Sequence, residues 1–320
     1  MRKWKQRLFS LVLCGAMLVS LCAPAAAEEE DGAAETYIVW TWDGSKLVKS
    51  TPDIPEDITT IDEKNVETLE LNGNTTNGWY IVRTSGVSKD GSIAVTGAVH
   101  LILADGCSLE VLSIKLSDNS SLSIYAQSEG TDMGELTAQY NKQSEHSNSN
   151  DAGIEVNAGS AVAIHGGKVT ATGRMGAGIG GYSEKAGGSV NILGGTVAAD
   201  SWIGAGIGGS HRGKGGEVII NGGTVTASSN GGGAGIGGGW GGDGSTIKIT
   251  GGTVTANSWG KGAGIGGSDS HDGGQITITG GTVGAFSNGG AGIGGGWGVT
   301  ATSNGDGAGI GGGRASDGGT

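Results

Sequence analysis

One segment recurs down the second half of the chain and restricts its fold more than any other feature. Gly-Ala-Gly-Ile-Gly-Gly begins at Gly176, Gly204, Gly233, Gly262 and Gly290, in nearly equal steps. A second motif, Gly-Gly-Thr-Val, falls between the copies at Gly194, Gly222, Gly251 and Gly280. Self-similarity at this period indicates a solenoid, in which each copy is one winding stacked on the next. Alternation within a copy gives the type of winding. In Glu217-Val218-Ile219-Ile220, Val218 and Ile220 share one face, and the position between them becomes Asn191, Lys248 or Thr277 in other copies. The same period of two puts Val225 with Ala227, and Ala234 with Ile236, on the inner side. Three short strands per copy, separated by Gly-rich turns, predict an all-β, right-handed parallel β-helix with about 28–29 residues per coil. Collagen is excluded, since 70 Gly accompany only 3 Pro and Gly does not fall at every third position.

The other end of the chain reads differently. A basic head, Met1 to Arg7, precedes an apolar run from Leu8 to Leu21 and the small residues Ala25-Ala26-Ala27, the layout of a secretory signal peptide with cleavage after Ala27. The predicted product is therefore secreted or extracellular, at the cell surface in one version, with no membrane span after signal removal. The formal charge is -12 and becomes -16 once the four basic residues of the signal are gone, so nucleic acid is disfavoured as a partner. Cys107 alone remains of 3 cysteines, which leaves no intramolecular disulfide and suggests a small buried hydrophobe.

Residues 28–55 read as an acidic linker and a lead-in strand over Tyr37 to Trp42. Residues 56–150 carry irregular strand signals such as His100-Leu101-Ile102-Leu103 and Ser121 to Tyr125 and are expected to form less regular coils. A separate β-sandwich is the alternative. Gln139 to Asn150 is polar throughout and reads as a loop or insertion. Residues 151–320 hold the Gly-rich coils. Their last step, from Gly290 to Gly307, is much shorter than the others, and the chain stops within another turn, which reads as a truncated repeat.

The stretch Leu103 to Leu109, then Leu122 to Gly130, then the Gly-Ala-Gly-Ile-Gly-Gly copies resembles a group of exported bacterial Gly-rich repeat proteins. The resemblance covers about residues 95 to 320. It implies a pectate-lyase-like β-helix at the cell surface with carbohydrate binding, and it carries no catalytic motif onto numbered positions.

Chemical motifs are few. Gly176 to Gly181 satisfies the dinucleotide pattern Gly-x-Gly-x-x-Gly, but so does every copy, and no helix follows to aim its amides at a pyrophosphate. No cofactor is expected. Asp200, Asp243, Asp269, Asp272, Arg174, Arg212, Lys214 and Lys248 are charges without a common register, which argues against a metal site and against catalysis. His211 and His271 lie two coils apart. Paired threonines at Thr224/Thr226 and Thr253/Thr255 form a short ladder that Ala198 and Gly284 interrupt. The aromatics are more regular: Tyr182, Trp240 and Trp297 follow the Gly-Ala-Gly-Ile-Gly-Gly block, and Trp202 and Trp259 precede it. Each set recurs about every two coils, roughly 9.6 Å along the axis, close to one disaccharide of an extended glycan. These five residues are the candidate stacking platform, against the alternative that the rings merely shield Gly turns. The expected function is a non-catalytic module that binds a polysaccharide or cell-wall glycan, or acts as a spacer. The rival is a polysaccharide lyase acting on an acidic polymer.

Overall fold

The computed structural model of the protein describes residues 34–74, 77–141, 143, 145–146, 148–295 and 300–303, the last four as backbone alone. Residues 1–27, which read as a signal peptide, lie outside the described residues. Among them the chain is almost entirely β, with one short 3-10 turn over Val66–Thr68 and no α-helix. Each regular coil has three faces. The long face carries six-residue strands such as Thr196–Ser201, Thr224–Ser229 and Thr253–Ser258. The short face carries the Ile-Gly pairs Ile207–Gly208, Ile236–Gly237 and Ile265–Gly266. The third carries Ser189–Ile192, Glu217–Ile220 and Ser245–Ile249.

Strands of successive coils pair in parallel, one coil apart. The expected ladders are present: Val197, Val225, Val254 and Val283 in one row, and Ile179, Ile207, Ile236, Ile265 and Ile293 in another. The first half belongs to the same stack and is no separate sandwich. Tyr80 pairs with Leu101 and Leu101 with Ile124, so these coils are shorter than the regular ones. The long and short faces become one strand there. Ser108–Leu116 pairs through Leu109 and Val111 with Leu136 and Ala138, and through Ile114 with Ile154.

Glycine permits the close stacking of the short face. Gly180, Gly208, Gly237 and Gly266 have φ between +130° and +141°, and a Cβ on any of them would lie 1.8–2.2 Å from the carbonyl oxygen of the equivalent Gly one coil on. That oxygen is held in place: the N–H of Gly209 donates to Gly237 O at 2.8 Å, and the N–H of Gly238 to Gly266 O at 2.9 Å. No L side chain fits between them.

A buried serine ladder secures the corner between long and short faces. The hydroxyls of Ser201, Ser229 and Ser258 donate to the carbonyls of Gly176, Gly204 and Gly233 at 2.8, 2.8 and 2.9 Å. Each corner therefore satisfies a backbone acceptor of the coil before it, which burial would otherwise leave unpaired.

The segment expected to lead into the first coil is instead one arm of a hairpin laid along the outside. Val39–Trp42 pairs antiparallel with Leu47–Ser50. The N–H of Ile38 donates to Ala126 O at 2.8 Å, Tyr37 meets Trp79 and Tyr125 edge-on, the Trp40 ring lies against Gly194, and Leu47 lies against Gly222. Sequence alternation missed this because the hairpin packs on outward side chains. The outward row of the third face reads Ile81, Ile102, Tyr125, His165, Leu193, then Asn221, Thr250 and Thr279. It is apolar or aromatic as far as Leu193, beside the hairpin, and polar from Asn221 onward.

Two glycines test the stacking argument. Gly237→Ala is expected to cost more than about 3 kcal/mol, because the coil must open to admit the methyl group. Gly284→Ala meets nothing closer than 3.9 Å and has no positive φ, so it should be neutral or stabilise by up to about 1 kcal/mol. Chemical denaturation of the two variants compares them directly.

Candidate functional site

The end of the long face is where side chains first leave the core in a regular row. Gly173, Ser201, Ser229, Ser258 and Ser287 are in register. The next residues therefore stack as Arg174, Trp202, Asn230, Trp259 and Asn288, their amides bonded coil to coil, for example Trp259 N–H to Ser229 O at 2.8 Å. Trp202 and Trp259 occupy alternate coils, about 9.6 Å apart on the axis. They are 61% and 50% exposed, too open to be core residues.

Trp240 joins the same corner from the other side. Its N–H donates to Ile203 O at 3.2 Å, its ring lies against Gly232, and it tilts over His211 with centroids 5.4 Å apart. The two aromatic sets thus converge, with Trp202, Trp240 and Trp259 on three consecutive coils of one edge. Trp240 does shield a Gly turn, yet 51% of it remains open. Trp259 leans on Phe286 at 5.5 Å. Tyr182 does not share the register of Trp240: counted from the Gly180, Gly208 and Gly237 row, it aligns with Ser210 and Gly239. It is half-buried, its hydroxyl accepting from Asn148 Nδ2 at 3.3 Å and its N–H donating to Asn157 Oδ1 at 3.0 Å, so it anchors the polar insertion. Trp297 lies outside the described residues.

Beside Trp202 the surface is hollow. A groove of about 350 Å³ is lined by Tyr140, Thr172, Arg174, Trp202 and Asn230. A second, more polar hollow of about 490 Å³, lined by Lys89, Asp90, Glu110, Gln139 and Tyr140, shares Tyr140 with it. Register links Lys89, Val111, Ala138, Ala171, Ala199 and Ala227, so the hollows together span six coils, about 24 Å parallel to the axis. Tyr140 was hidden in the segment read as a loop. The signal that finds it is Leu136-Thr137-Ala138, an unrecognised copy of the Val-x-Ala strand that stacks on Val169 and Ala171.

The charged candidates are placed separately. Lys214 pairs with Asp243 at 3.3 Å, Lys261 with Asp269 at 3.5 Å and Arg212 with Glu184 at 3.8 Å, all exposed and each contributing about 0–1 kcal/mol. Lys248 stands on a second outward row of the third face, two residues before the first, between Ile219 and Thr277 and away from this corner. His271 Nδ1 lies 2.7 Å from Asp269 O. His211 Nδ1 is buried without a hydrogen-bond partner, and its pKa is lowered, chiefly by that burial and next by Arg212. Asp200, in the row between Thr172 and Ser228, has its pKa raised by burial, offset in part by a hydrogen bond with Ser228. Among the described residues no three His, Cys, Asp or Glu side chains gather to hold a metal ion, and no helix is long and apolar enough to cross a membrane. Cys107 is buried.

A family model described as a beta helix repeat matches residues 162–183, 190–211, 218–240, 247–269, 276–297 and 299–314. The fold is a parallel β-helix. The first five repeats open on Val162, Val190, Val218, Ile247 and Ile276, which are register partners on the third face of the β-helix. No curated protein and no solved structure matches the chain.

Asp200 offers a pH test of this corner. A raised carboxyl pKa means that the folded state holds its proton more tightly than the unfolded chain does. The penalty is therefore absent at low pH and appears as pH rises through the folded pKa. Asp200→Asn should raise the denaturation midpoint at neutral pH and leave it nearly unchanged near about pH 3.

Proposed function

We propose that this protein is an exported, non-catalytic β-helix that binds an extended polysaccharide along the edge of its long face. The observation that carries the reading is the groove in which Tyr140 and Trp202 stand two coils apart, with Thr172 and Arg174 on the coil between them and Asn230 on the coil beyond. Flat rings offer faces for the C–H surface of a sugar, and the amide, hydroxyl and guanidinium groups suit its hydroxyls. A stack of hydrogen-bonded coils holds these groups without a moving loop, so little ordering is lost on binding. Export is supported by the basic head, apolar run and small residues of the first 27 positions. Trp259 with Asn288 continues the same row and supplies a further place for a longer chain to rest.

The rival reading, a lyase acting on an acidic polysaccharide, draws on Arg174 and the partly buried carboxyl of Asp200, which flank the same corner. The two readings separate in one experiment. Retention on insoluble polysaccharides and glycan arrays should fall about 5-fold to 150-fold for Tyr140→Ala with Trp202→Ala, since two stacked rings contribute about 1–3 kcal/mol together. Circular dichroism should stay unchanged, because the Trp202 ring is mostly in solvent. Undiminished retention would remove the aromatic groove from the proposal, and release of unsaturated sugars by the unmodified protein would favour the lyase.

A further inference from the structure

The hairpin over residues 39–50 takes no part in the coil ladders. Its arms pair with each other, and it meets the β-helix through a few side chains and single bonds, so it can leave without opening any coil. Leu193 lines one hollow with Trp40 and Leu47, and Tyr125 stacks on His165 and meets Tyr37 just before the hairpin; both are buried although they occupy the outward row. At the centre of the contact is His165. Its Nδ1 faces the Trp40 carbonyl oxygen at 2.9 Å and the Trp40 nitrogen at 3.3 Å, and its ring stacks on Tyr125 at 4.6 Å.

We propose that the hairpin is an acid-released strap, held at neutral pH by the uncharged imidazole of His165 and freed on acidification to expose the apolar row of the third face. The geometry gives the reason. His165 lies between the hairpin backbone and an aromatic stack, with no carboxylate bonded to it, so a proton there must be buried without a counter-charge. Undocking returns it to water.

The titratable groups around it act in the same direction or stay silent. From the strand Ala98–Leu103 comes His100, stacked on Trp79 at 4.2 Å, and from Ser121–Ala126 comes Tyr125. Burial lowers the pKa of His100 and raises those of Tyr37 and Tyr125, so both phenols are neutral throughout. The hairpin brings Lys49, which pairs with Glu129 and sits 5.7 Å from the Trp40 ring centroid, and Asp43 and Lys46 at its turn. Glu35, just before it, pairs with Arg83. The Glu129 and Glu35 pairs are exposed. Leu193, from the next coil, adds no charge.

Burial, with a smaller push from the charge of His100, holds His165 down to about 4, against a pull upward from its bond to Trp40. A His whose pKa is lower when docked binds its proton preferentially when undocked. Docking is therefore strongest above the ordinary histidine range and weakens as pH falls from about 6.5 to about 4, by roughly 10²-fold in the docking equilibrium.

The test is a titration of the full-length protein from neutral pH to about pH 3.5, following binding of an apolar fluorescent dye, proteolysis at the Gly44-Ser45 turn, and far-ultraviolet circular dichroism. Dye binding and cleavage should rise below about pH 5 while the sheet signal persists. His165→Phe keeps a flat ring on Tyr125 but cannot take a proton, and should shift the rise downward by about one pH unit or more. Trp40→Ala, which removes the contact from the other side, should bind dye already at neutral pH. The proposal is overturned if His165→Phe follows the profile of the unmodified protein, if the sheet signal is lost together with dye binding, or if Trp40→Ala stays dye-free at neutral pH.

Discussion

The structure rests on a backbone contact that only glycine permits. On the short face of each regular coil a carbonyl oxygen stands where the Cβ of the neighbouring coil's residue would be, and an N–H of the preceding coil bonds to that same oxygen. Hydrogen bonding and close approach are thus one feature. A larger residue would push the coils apart at one corner of the triangle and tilt every ladder beyond it. This is why Gly-Ala-Gly-Ile-Gly-Gly varies so little from copy to copy, while the outward position of the third face changes freely among Asn191, Ile219, Lys248 and Thr277. Glu155 shows where the constraint begins. It pairs with Gly180 as the first member of the row, next to Lys115 on the coil before, and burial raises the pKa of its carboxyl.

Stacking at fixed register also turns surface chemistry into rows. Whatever stands at one outward position lies about 4.8 Å from its equivalent in the next coil, so two or three substitutions in successive copies suffice to write a stripe. The serine row at the corner is such a stripe turned inward, and the apolar row under the hairpin is one turned outward. The row turns polar at Asn221, in the coil where Leu47 of the hairpin lies against Gly222. Cover and covered row belong to distant parts of the sequence, and neither shows the other alone.

That distinction separates what could be read from the sequence from what could not. Periodicity of two and a constant repeat length identify coils because inward side chains repeat locally, so the Val197 and Ile179 ladders were legible in full. The irregular first half was legible as less regular coils, but their shorter period was not, since its turns lack the Gly signature. The hairpin was read as a single strand because its partners, Tyr125, His165 and Leu193, are remote and look like ordinary outward residues. At the candidate site Trp202 and Trp259 were visible as a two-coil repeat. Their meeting with Trp240 was not, because it depends on the turn after the short face folding back over Ile203 and Gly232. Tyr182 was misplaced by one position for the same reason: the block before it repeats, but the loop after it does not. Tyr140 sat in polar surroundings that concealed a strand end.

The strap and the groove lie at opposite ends of the long face. Leu193 and Thr196 mark the first and Trp202 the second, with a six-residue strand between them of about 20 Å. Both run parallel to the axis; the hairpin stands outside the coil ladders, whereas the groove residues are bonded into them. A change at one end therefore reaches the other only through a strand held on both sides by parallel partners, and such a strand does not shift in register without moving every inward Val and Ala to the solvent face. On this geometry an acid-driven departure of the hairpin would bare the apolar row yet leave Tyr140, Arg174 and Trp202 where they stand. The proposed ligand edge and the proposed strap would then act as independent devices on one rigid rod.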